Sequence, residues 1–209
     1  MEEERTSFCS GELTLEALIA RPGSTVEHGA VICHPHPLYG GSMFNNVVES
    51  ALEAMWRLGW ATLRFNFRGV GGSQGAHSGG SGEVDDAVAA VHFLASELAL
   101  APRTIALAGY SFGAMMAMKA ASSLSELSAL ILIALPLRMA ADDGLIKMEV
   151  PVILAAGDFD DYCPSPELEG LQRSLGSRAQ LKIIEGADHF FGGYEAQLAA
   201  ALELMLRRI

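Results

Sequence analysis

The sequence is short of positive charge and of long hydrophobic runs, and each shortage excludes a class of partner. Its 209 residues contain 14 lysines and arginines against 25 aspartates and glutamates, for a formal net charge of -11. Because an acidic chain is repelled by phosphate backbones, we expect no nucleic-acid partner. The longest apolar run covers residues 129–137 and contains a proline. A bilayer needs about 20 apolar residues, so we expect no membrane partner either.

Cysteine is also scarce, and the three cysteines, Cys9, Cys33 and Cys163, are far apart in the sequence. An odd number of cysteines, scattered along the chain, argues against a disulfide framework or a zinc site. The first seven residues, MEEERTS, lack the basic start and apolar core of a secretory signal. We therefore expect a reduced, cytoplasmic protein that uses no metal ion and no cofactor.

Apolar sequence, by contrast, is abundant: 50% of the residues are hydrophobic and 19% are charged. This balance is typical of a globular protein, and the length suits one domain, which we assign to residues 1–209. Short apolar runs alternate with stretches of helical periodicity, which predicts a parallel sheet with helices on both faces. The predicted strands are 13–20, 30–33, 61–67, 104–108, 127–135, 151–156 and 181–184, and the predicted helices are 45–56, 84–98, 112–121, 167–175 and 194–208.

Sheets of this kind place their functional sites in the loops that follow the carboxyl ends of strands. One such segment, GYSFG at residues 109–113, follows a strand directly and opens a helix. It matches the G-x-S-x-G nucleophile elbow, a tight turn that holds a serine hydroxyl above the sheet. Ser111 is therefore the candidate nucleophile. The alternative is that Ser111 only caps the helix that follows it.

The same pattern occurs a second time, as GGSQG at residues 71–75, inside the glycine- and serine-rich stretch 69–82. Its serine, Ser73, lies several residues past the preceding strand. More glycine and polar residues follow it, where an elbow would begin a helix. We therefore interpret Ser73 as a loop residue.

An acid that orients a catalytic base should follow a later strand, because the partners in an elbow site occur in the order serine, acid, histidine. The strand predicted at 151–156 runs into GDFDDYCP, where Asp158, Asp160 and Asp161 compete for this role. Asp158 is nearest to the strand. Asp142 and Asp143 follow the preceding predicted strand, but they lie several residues too far beyond its end to take this role. The alternative interpretation of the cluster is a solvated turn.

The candidate base is His189. The chain has six histidines, at positions 28, 34, 36, 77, 92 and 189. His189 comes just after the last predicted strand and before the last helix, where a base can reach a serine in mid-sheet. His92 falls on a predicted helix and His77 in the glycine-rich loop, so we assign neither to the site.

An oxyanion hole needs two N–H donors. The backbone of Phe112 would supply one, and the loop HPHPLYGG after the strand at 30–33 would supply the other. Because prolines have no N–H, His36 and Leu38 are both candidates for the second donor. The histidines of this loop, His34 and His36, have no carboxylate near them in sequence, which disfavours a metal site.

Five segments together, CHPHPLYGGSM, RFNFRGVGGSQG, GYSFGA, GDFDDYCP and ADHFFGG, resemble a family of small bacterial α/β hydrolases that are similar to dienelactone hydrolases. The resemblance extends from about residue 12 to the last helix. It implies the α/β-hydrolase fold, with a mostly parallel, doubly wound sheet. It also implies Ser111, Asp160 and His189 as a catalytic triad. Asp160 lies four residues before Pro164, a spacing that resembles the acid loop of many α/β hydrolases, and Asp161 is the second choice.

The expected function is that of a carboxylesterase-like serine hydrolase acting on a small ester or acyl substrate through an acyl-enzyme on Ser111. Serine at the elbow, where dienelactone hydrolases carry cysteine, argues against their reaction. Only 15 residues separate residues 135 and 151, so we expect no lid domain and an open site. The alternatives are a peptidase or amidase, a thioesterase, or a non-catalytic binding protein on the same scaffold.

Overall fold

The computed structural model describes residues 1–23, 25–124, 126–140 and 144–209, and Asp142 and Asp143 lie outside the described residues. Its framework is one eight-stranded sheet flanked by five α-helices. The strands are β1 (Glu4–Ser10), β2 (Leu13–Ala20), β3 (Gly29–Cys33), β4 (Ala61–Phe65), β5 (Ile105–Tyr110), β6 (Ala129–Ile133), β7 (Val152–Gly157) and β8 (Ala179–Ile184). The helices are α1 (Asn46–Arg57), α2 (Ser81–Glu97), α3 (Phe112–Ala121), α4 (Ser165–Leu175) and α5 (Glu195–Leu206).

The order of strands across the sheet is β1-β2-β4-β3-β5-β6-β7-β8. The six strands from β4 to β8 in this order are parallel to their neighbours, whereas β1 and β2 run antiparallel at one edge. This is the mostly parallel, doubly wound sheet of the α/β-hydrolase fold, and it confirms the predicted fold class. The carboxyl ends of the parallel strands share one edge, so the loops after β3, β5, β6, β7 and β8 lie together there.

Both faces of the sheet are covered because alternate residues of each strand point to opposite sides. In β5, Ile105 and Leu107 join a core cluster with α2, α3 and α4, and Ala106 and Ala108 join a second cluster with α1 and α5. The central strands are buried on both sides, which explains why they appear in the sequence as continuous apolar runs.

Strand β1 was not predicted. Its residues alternate between exposed polar side chains, such as Glu4 and Ser7, and the buried Phe8 and Ser10. Only one large apolar residue of this edge strand enters the core, so the sequence has too little periodic signal to reveal it. The pairing with β2 nonetheless continues from Glu4 opposite Ile19 to Ser10 opposite Leu13.

Helix α2 begins earlier than the predicted start at residue 84, at Ser81. The buried carboxylate of Glu83 accepts hydrogen bonds from the N–H groups of Ser78 and Gly80 and from the Ser78 hydroxyl. These bonds give the helix an N-terminal anchor in the glycine-rich stretch. None of the helices in the described parts of the chain is both long and apolar enough to cross a bilayer.

Candidate active site

Three loops at the carboxyl edge of the sheet bring Ser111, Asp160 and His189 into one hydrogen-bonded chain. Nε2 of His189 lies 2.9 Å from the Ser111 hydroxyl oxygen, and Nδ1 lies 2.8 and 2.9 Å from the two carboxylate oxygens of Asp160. The serine follows β5, the aspartate follows β7 and the histidine follows β8. A serine paired with a base that a buried acid orients is the arrangement that activates a hydroxyl as a nucleophile.

The turn at Ser111 is strained. Its backbone has φ 55° and ψ -117°, a conformation that side-chain-bearing residues rarely adopt and that costs about 1–3 kcal/mol. The turn also requires glycine on both sides: a Cβ on Gly109 would collide with the carbonyl of Gly113, and a Cβ on Gly113 would collide with the carbonyl of Cys33. The G-x-S-x-G spacing is therefore a steric requirement of this elbow.

The Ser111 hydroxyl does not cap α3, because its side chain makes no capping hydrogen bond. The alternative interpretation of Ser111 as only a helix cap is therefore wrong. Ser73, by contrast, lies in an irregular loop as predicted. Its hydroxyl donates to the Asn66 carbonyl at 2.6 Å and accepts from the Glu16 N–H at 2.9 Å, so it ties that loop to β2.

Of the three competing aspartates, Asp160 is the one that contacts the imidazole. It is buried, and its Oδ1 also accepts the backbone N–H groups of Tyr162 and Cys163, each at 2.9 Å. Asp158 is exposed and instead accepts the N–H of Gly186 at 2.6 Å, which braces the loop after β8. Asp161 is exposed to solvent.

Aromatic rings surround the imidazole of His189, which is 8% exposed. The ring centroids of Tyr162, Tyr110 and Phe190 lie 4.8, 5.5 and 5.6 Å from that of the imidazole. The Tyr110 hydroxyl donates a 2.9 Å hydrogen bond to the carbonyl oxygen of His189. Burial raises the pKa of Tyr110 above its ordinary value, with Asp160 adding to the effect, so the phenol stays protonated as a donor.

The two candidates for the second oxyanion donor differ in their surroundings. The N–H of Leu38 already donates to Nδ1 of His36, at 3.2 Å, and the Leu38 side chain is 70% exposed. His36 lines the cavity around Ser111 together with Phe112. Within the described residues, no hydrogen bond involves the backbone N–H of either His36 or Phe112.

Gly41 allows the loop to fold back, since a Cβ there would collide with the carbonyl of Pro35.

His34, the other histidine of this loop, has a structural position. It is fully buried, its Nδ1 lies 2.6 Å from the Pro35 carbonyl oxygen, and its Nε2 accepts the N–H of Phe67 at 3.0 Å. Burial lowers its pKa from 6.5 to about 4, so the ring is neutral and donates through Nδ1. Because both nitrogens are occupied, His34 is unsuited to bind a metal ion.

A second group of ionisable residues lies next to His36 and Phe112, the two candidate oxyanion donors. The ring of His77, from the glycine-rich stretch, is 5.0 Å from that of His36 and 5.7 Å from that of Phe112. Its Nδ1 lies 2.9 Å from the buried carboxylate of Glu83. Burial, with a smaller contribution from His77, lowers the pKa of His36. His92, in contrast, is exposed on α2, away from this group.

The cavity above Ser111 has a volume of about 440 Å³. Within the described part of the chain, none of its lining residues is a lysine, arginine, aspartate or glutamate. The wall is formed by Pro35, His36, Tyr39, Gly40, Gly41, Asn45, Tyr110, Ser111, Phe112, Met115, Pro136, Met139, Tyr162, His189 and Phe190.

Sequence reasoning did not identify several of these residues. Tyr110 occupies an unspecified position of the elbow motif, and its role depends on a contact with a residue 79 positions away. Tyr162 and Phe190 are exposed loop aromatics without a periodic pattern. Their loops follow β7 and β8, which lie on the β6 side of β5 in the sheet, and the cavity above Ser111 brings these side chains together with the serine.

Comparison with known protein families gives one match that covers most of the chain. The family model described as X-Pro dipeptidyl-peptidase (S15 family) matches residues 11–159. The matched segment contains Ser111 and ends one residue before Asp160.

Solved structures and a curated relative are also similar to most of this chain. An α/β serine hydrolase homologue from Coxiella burnetii has a TM-score of 0.90 and 35% identity, covering 99% of this chain and 98% of that chain. A Xanthomonas campestris protein described as an α/β serine hydrolase without lid has a TM-score of 0.84 and 30% identity, and the match covers 100% of this chain and 95% of that chain. An uncharacterized protein from Rickettsia prowazekii is 35% identical, covering 88% of this chain and 80% of the relative.

Proposed function

Because this chain belongs to the S15 family within the α/β serine hydrolases, we propose that it is a carboxylesterase-like enzyme that forms an acyl-enzyme on Ser111. The observation that carries the proposal is the continuous contact from the Ser111 hydroxyl through His189 to Asp160, at 2.9 and 2.8 Å. An open cavity at the carboxyl edge of the sheet gives an ester access to that hydroxyl.

The reaction begins when Ser111 Oγ attacks the ester carbonyl and His189 Nε2 takes the hydroxyl proton. The tetrahedral intermediate collapses as the same nitrogen gives the proton to the departing alkoxide, which leaves as the alcohol. Water then attacks the acyl-enzyme, with His189 again acting as base, and the carboxylic acid is released from a regenerated serine. Asp160 holds the imidazole with its proton on Nδ1 and stabilises the imidazolium that forms at each step.

The oxyanion would be stabilised by two backbone N–H groups, those of Phe112 and His36. Phe112 is the first residue of α3, whose N-terminal N–H groups have no partner within the helix. We assign the second donor to His36, since the N–H of Leu38 is engaged by the His36 side chain.

The cavity wall supports an ester substrate. A dipeptidyl peptidase must bind a free terminal ammonium, and a thioesterase for phosphate-bearing carriers must bind phosphate. Either charge calls for an opposite charge nearby, because burying an unpaired ion is costly. The described wall of this cavity offers no charged side chain.

A peptidase is the second candidate, and the S15 family match is the observation that favours it. The two functions differ in the leaving group, so matched chromogenic substrates separate them. We expect p-nitrophenyl butyrate to be hydrolysed at least about 100-fold faster than Ala-Pro-p-nitroanilide. The reverse order would establish the peptidase.

The decisive experiment is labelling with a fluorophosphonate probe, followed by intact-mass and peptide analysis. Wild type should gain one label on Ser111, and the Ser111→Ala variant should gain none and lose ester hydrolysis by about 10⁴-fold or more. Ser73→Ala is the matched control, since it removes the serine of the second G-x-S-x-G segment, and it should label like wild type. A folded wild type that neither labels nor hydrolyses esters would support a binding protein instead.

We further propose a reducing, cytoplasmic location, because all three cysteines are free thiols. Burial raises the pKa of both Cys33 and Cys163 above the ordinary value, so these thiols are poorly reactive. Intact mass after alkylation of the protein, purified without reductant and denatured, should count three thiols. A disulfide in that sample would contradict the proposal.

A further inference from the structure

One side chain of the glycine-rich stretch, residues 69–82, turns inward from an otherwise solvated loop. Its neighbours Ala76, Ser78 and Gly79 are exposed, whereas the side chain of His77 is only 15% exposed. Burying a polar ring costs free energy unless the ring makes compensating contacts. The contacts of His77 therefore show what holds it in this position.

The first contact of His77 is a carboxylate near the start of α2. Nδ1 of His77 lies 2.9 Å from Oε1 of Glu83, whose side chain is fully buried. Burial by itself would raise the pKa of Glu83, but hydrogen bonds from Ser78 and Gly80 lower it below the ordinary value. The carboxylate is therefore ionised, and a buried charge is stabilised by each close polar partner. This contact fixes one side of the imidazole.

The other contacts of His77 are with the two residues to which we assign the oxyanion donors. Its ring centroid lies 5.0 Å from that of His36 and 5.7 Å from that of Phe112. The rings of His36 and Phe112 are themselves 4.7 Å apart. These three residues form a ring cluster in which each ring contacts the other two. Because His36 belongs to the loop after β3 and Phe112 begins α3, the ring cluster joins the two segments that must present their N–H groups together.

The peptide that carries the N–H of His36 is also held at its carbonyl end. The carbonyl oxygen of Pro35 belongs to the same planar unit, and it accepts from Nδ1 of the buried His34 at 2.6 Å. In a trans peptide the C=O and N–H groups point in opposite directions, so this bond directs the N–H away from His34. A single bond still allows the peptide to tilt, and the ring cluster restrains the side chain at its other end.

We propose that His77, held by Glu83, is a positioning residue that keeps the N–H groups of His36 and Phe112 aimed at one oxyanion. This inference rests on the proposed function, because it concerns the same acyl transfer. Within the described residues His77 does not line the cavity, so it acts through the two donor residues. Donors aligned in advance stabilise the transition state more than the bound ester. The loss of His77 should therefore lower kcat and leave KM nearly unchanged.

Steady-state kinetics on p-nitrophenyl butyrate give the first test. Removing an oxyanion donor outright costs about 10²–10³ in kcat, and a small displacement should cost less. We expect His77→Ala to lower kcat about tenfold, with less than a twofold change in KM. His77→Phe returns a ring to the cluster without the nitrogen that faces Glu83, so its kcat should lie between those of His77→Ala and wild type. His92→Ala, which alters an exposed histidine on α2, is the matched control and should equal wild type.

An inhibitor that forms an oxyanion separates positioning from a purely structural role. The Ser111 hydroxyl adds to the carbonyl of hexyl trifluoromethyl ketone, its proton passes to His189, and the former carbonyl oxygen becomes the oxyanion. The alcohol obtained by reducing this ketone has a similar shape and forms no oxyanion. His77→Ala should weaken inhibition by the ketone about tenfold, in proportion to kcat/KM, and leave inhibition by the alcohol unchanged. Urea denaturation identifies the folded variants. If His77→Ala does not fold, His77→Asn removes the ring, keeps a polar group towards Glu83 and should show the same losses.

The outcomes distinguish this inference from the proposed function. A folded His77→Ala variant with the kcat and the ketone affinity of wild type overturns the positioning role and leaves the proposed function intact. The same holds if only KM rises, or if the ketone and the alcohol lose affinity equally. A His77→Phe variant as slow as His77→Ala overturns the role of the ring contacts. A wild type that neither labels at Ser111 nor hydrolyses the ester overturns both proposals.

Discussion

Tyr110 holds the backbone of His189 through a hydrogen bond of 2.9 Å from its hydroxyl to the histidine carbonyl oxygen. The residue that immediately precedes Ser111 in the elbow therefore also positions the loop that carries the candidate base. Tyr110 is 3% exposed, and its ring lies against both the imidazole and the ring of Phe191. The relative position of serine and histidine thus depends on one buried phenol.

Replacing Tyr110 with phenylalanine should weaken this link and retain the packing. A buried carbonyl that loses its partner costs about 1–3 kcal/mol of stability. We also expect kcat to fall about tenfold with KM nearly unchanged, since small misplacements of a reacting group are costly. Urea denaturation and ester kinetics measure the two effects. An unaltered kcat in a destabilised variant would show that the hydrogen bond serves stability alone.

Asp160→Asn should abolish most activity and spare the fold. The amide keeps the shape but can no longer hold the imidazole in the required tautomer, and in comparable triads this costs about 10⁴-fold in kcat. The matched control is Asp161→Asn, one residue later and exposed, for which we expect less than a twofold change. Equal losses in both variants would point to loop disruption and against a role for Asp160 in orienting the base.

Gly113→Ala should be severely destabilising. A methyl group at this position collides with the carbonyl oxygens of Cys33 and His34, which are backbone atoms and cannot rotate away. We expect a loss of at least about 3 kcal/mol, or no soluble protein. Gly192→Ala is the control, because a Cβ there has no neighbour within 4 Å among the described residues. Comparison of the two melting temperatures checks the prediction.

His34 should make stability depend on pH in a defined window. Its pKa is lowered from 6.5 to about 4 in the folded protein, so the unfolded chain takes up the proton first as the pH falls. The free energy of unfolding should therefore decrease between about pH 6.5 and pH 4, by up to about 3 kcal/mol from this group. Below pH 4 this contribution stays constant.

His34→Gln removes the titration and retains hydrogen-bonding groups. This variant should be less stable than wild type at pH 7, but its stability should fall less between pH 6.5 and 4. Urea denaturation at half-unit pH intervals provides both curves. Parallel curves would mean that burial of His34 does not produce the pH dependence.

The sequence predicted the bounds of secondary-structure elements best where the local sequence pattern showed both the periodicity and the ends of the element. The predicted bounds of β2 and α3 agree with the structure to the residue, because each combines clear periodicity with a marked end. Strand β1 was not predicted, because it forms through its pairing with β2 and its own composition carries little signal.

The candidate site shows the same division between local and non-local information. Ser111 and His189 could be proposed from motif, position and order, whereas Asp160 was chosen among three aspartates because its spacing to Pro164 resembles the acid loop of many α/β hydrolases. The fold brings the three side chains together, and their catalytic roles are predictions. The choice between His36 and Leu38 required knowledge of where the Leu38 N–H donates. The link from Tyr110 to His189 joins residues 79 positions apart and has no sequence pattern.

The long separation of Ser111 and His189 in sequence has a consequence for refolding. Strands β6, β7 and β8 lie between these residues in the chain, and each must join the sheet through a crossover before the imidazole reaches the hydroxyl. Such non-local parallel pairing is slow compared with helix formation. Under the proposed function, phosphonate reactivity of Ser111 should return only in the final kinetic phase after dilution from denaturant. One covalent label would then report that β6, β7 and β8 have joined β5 in the sheet.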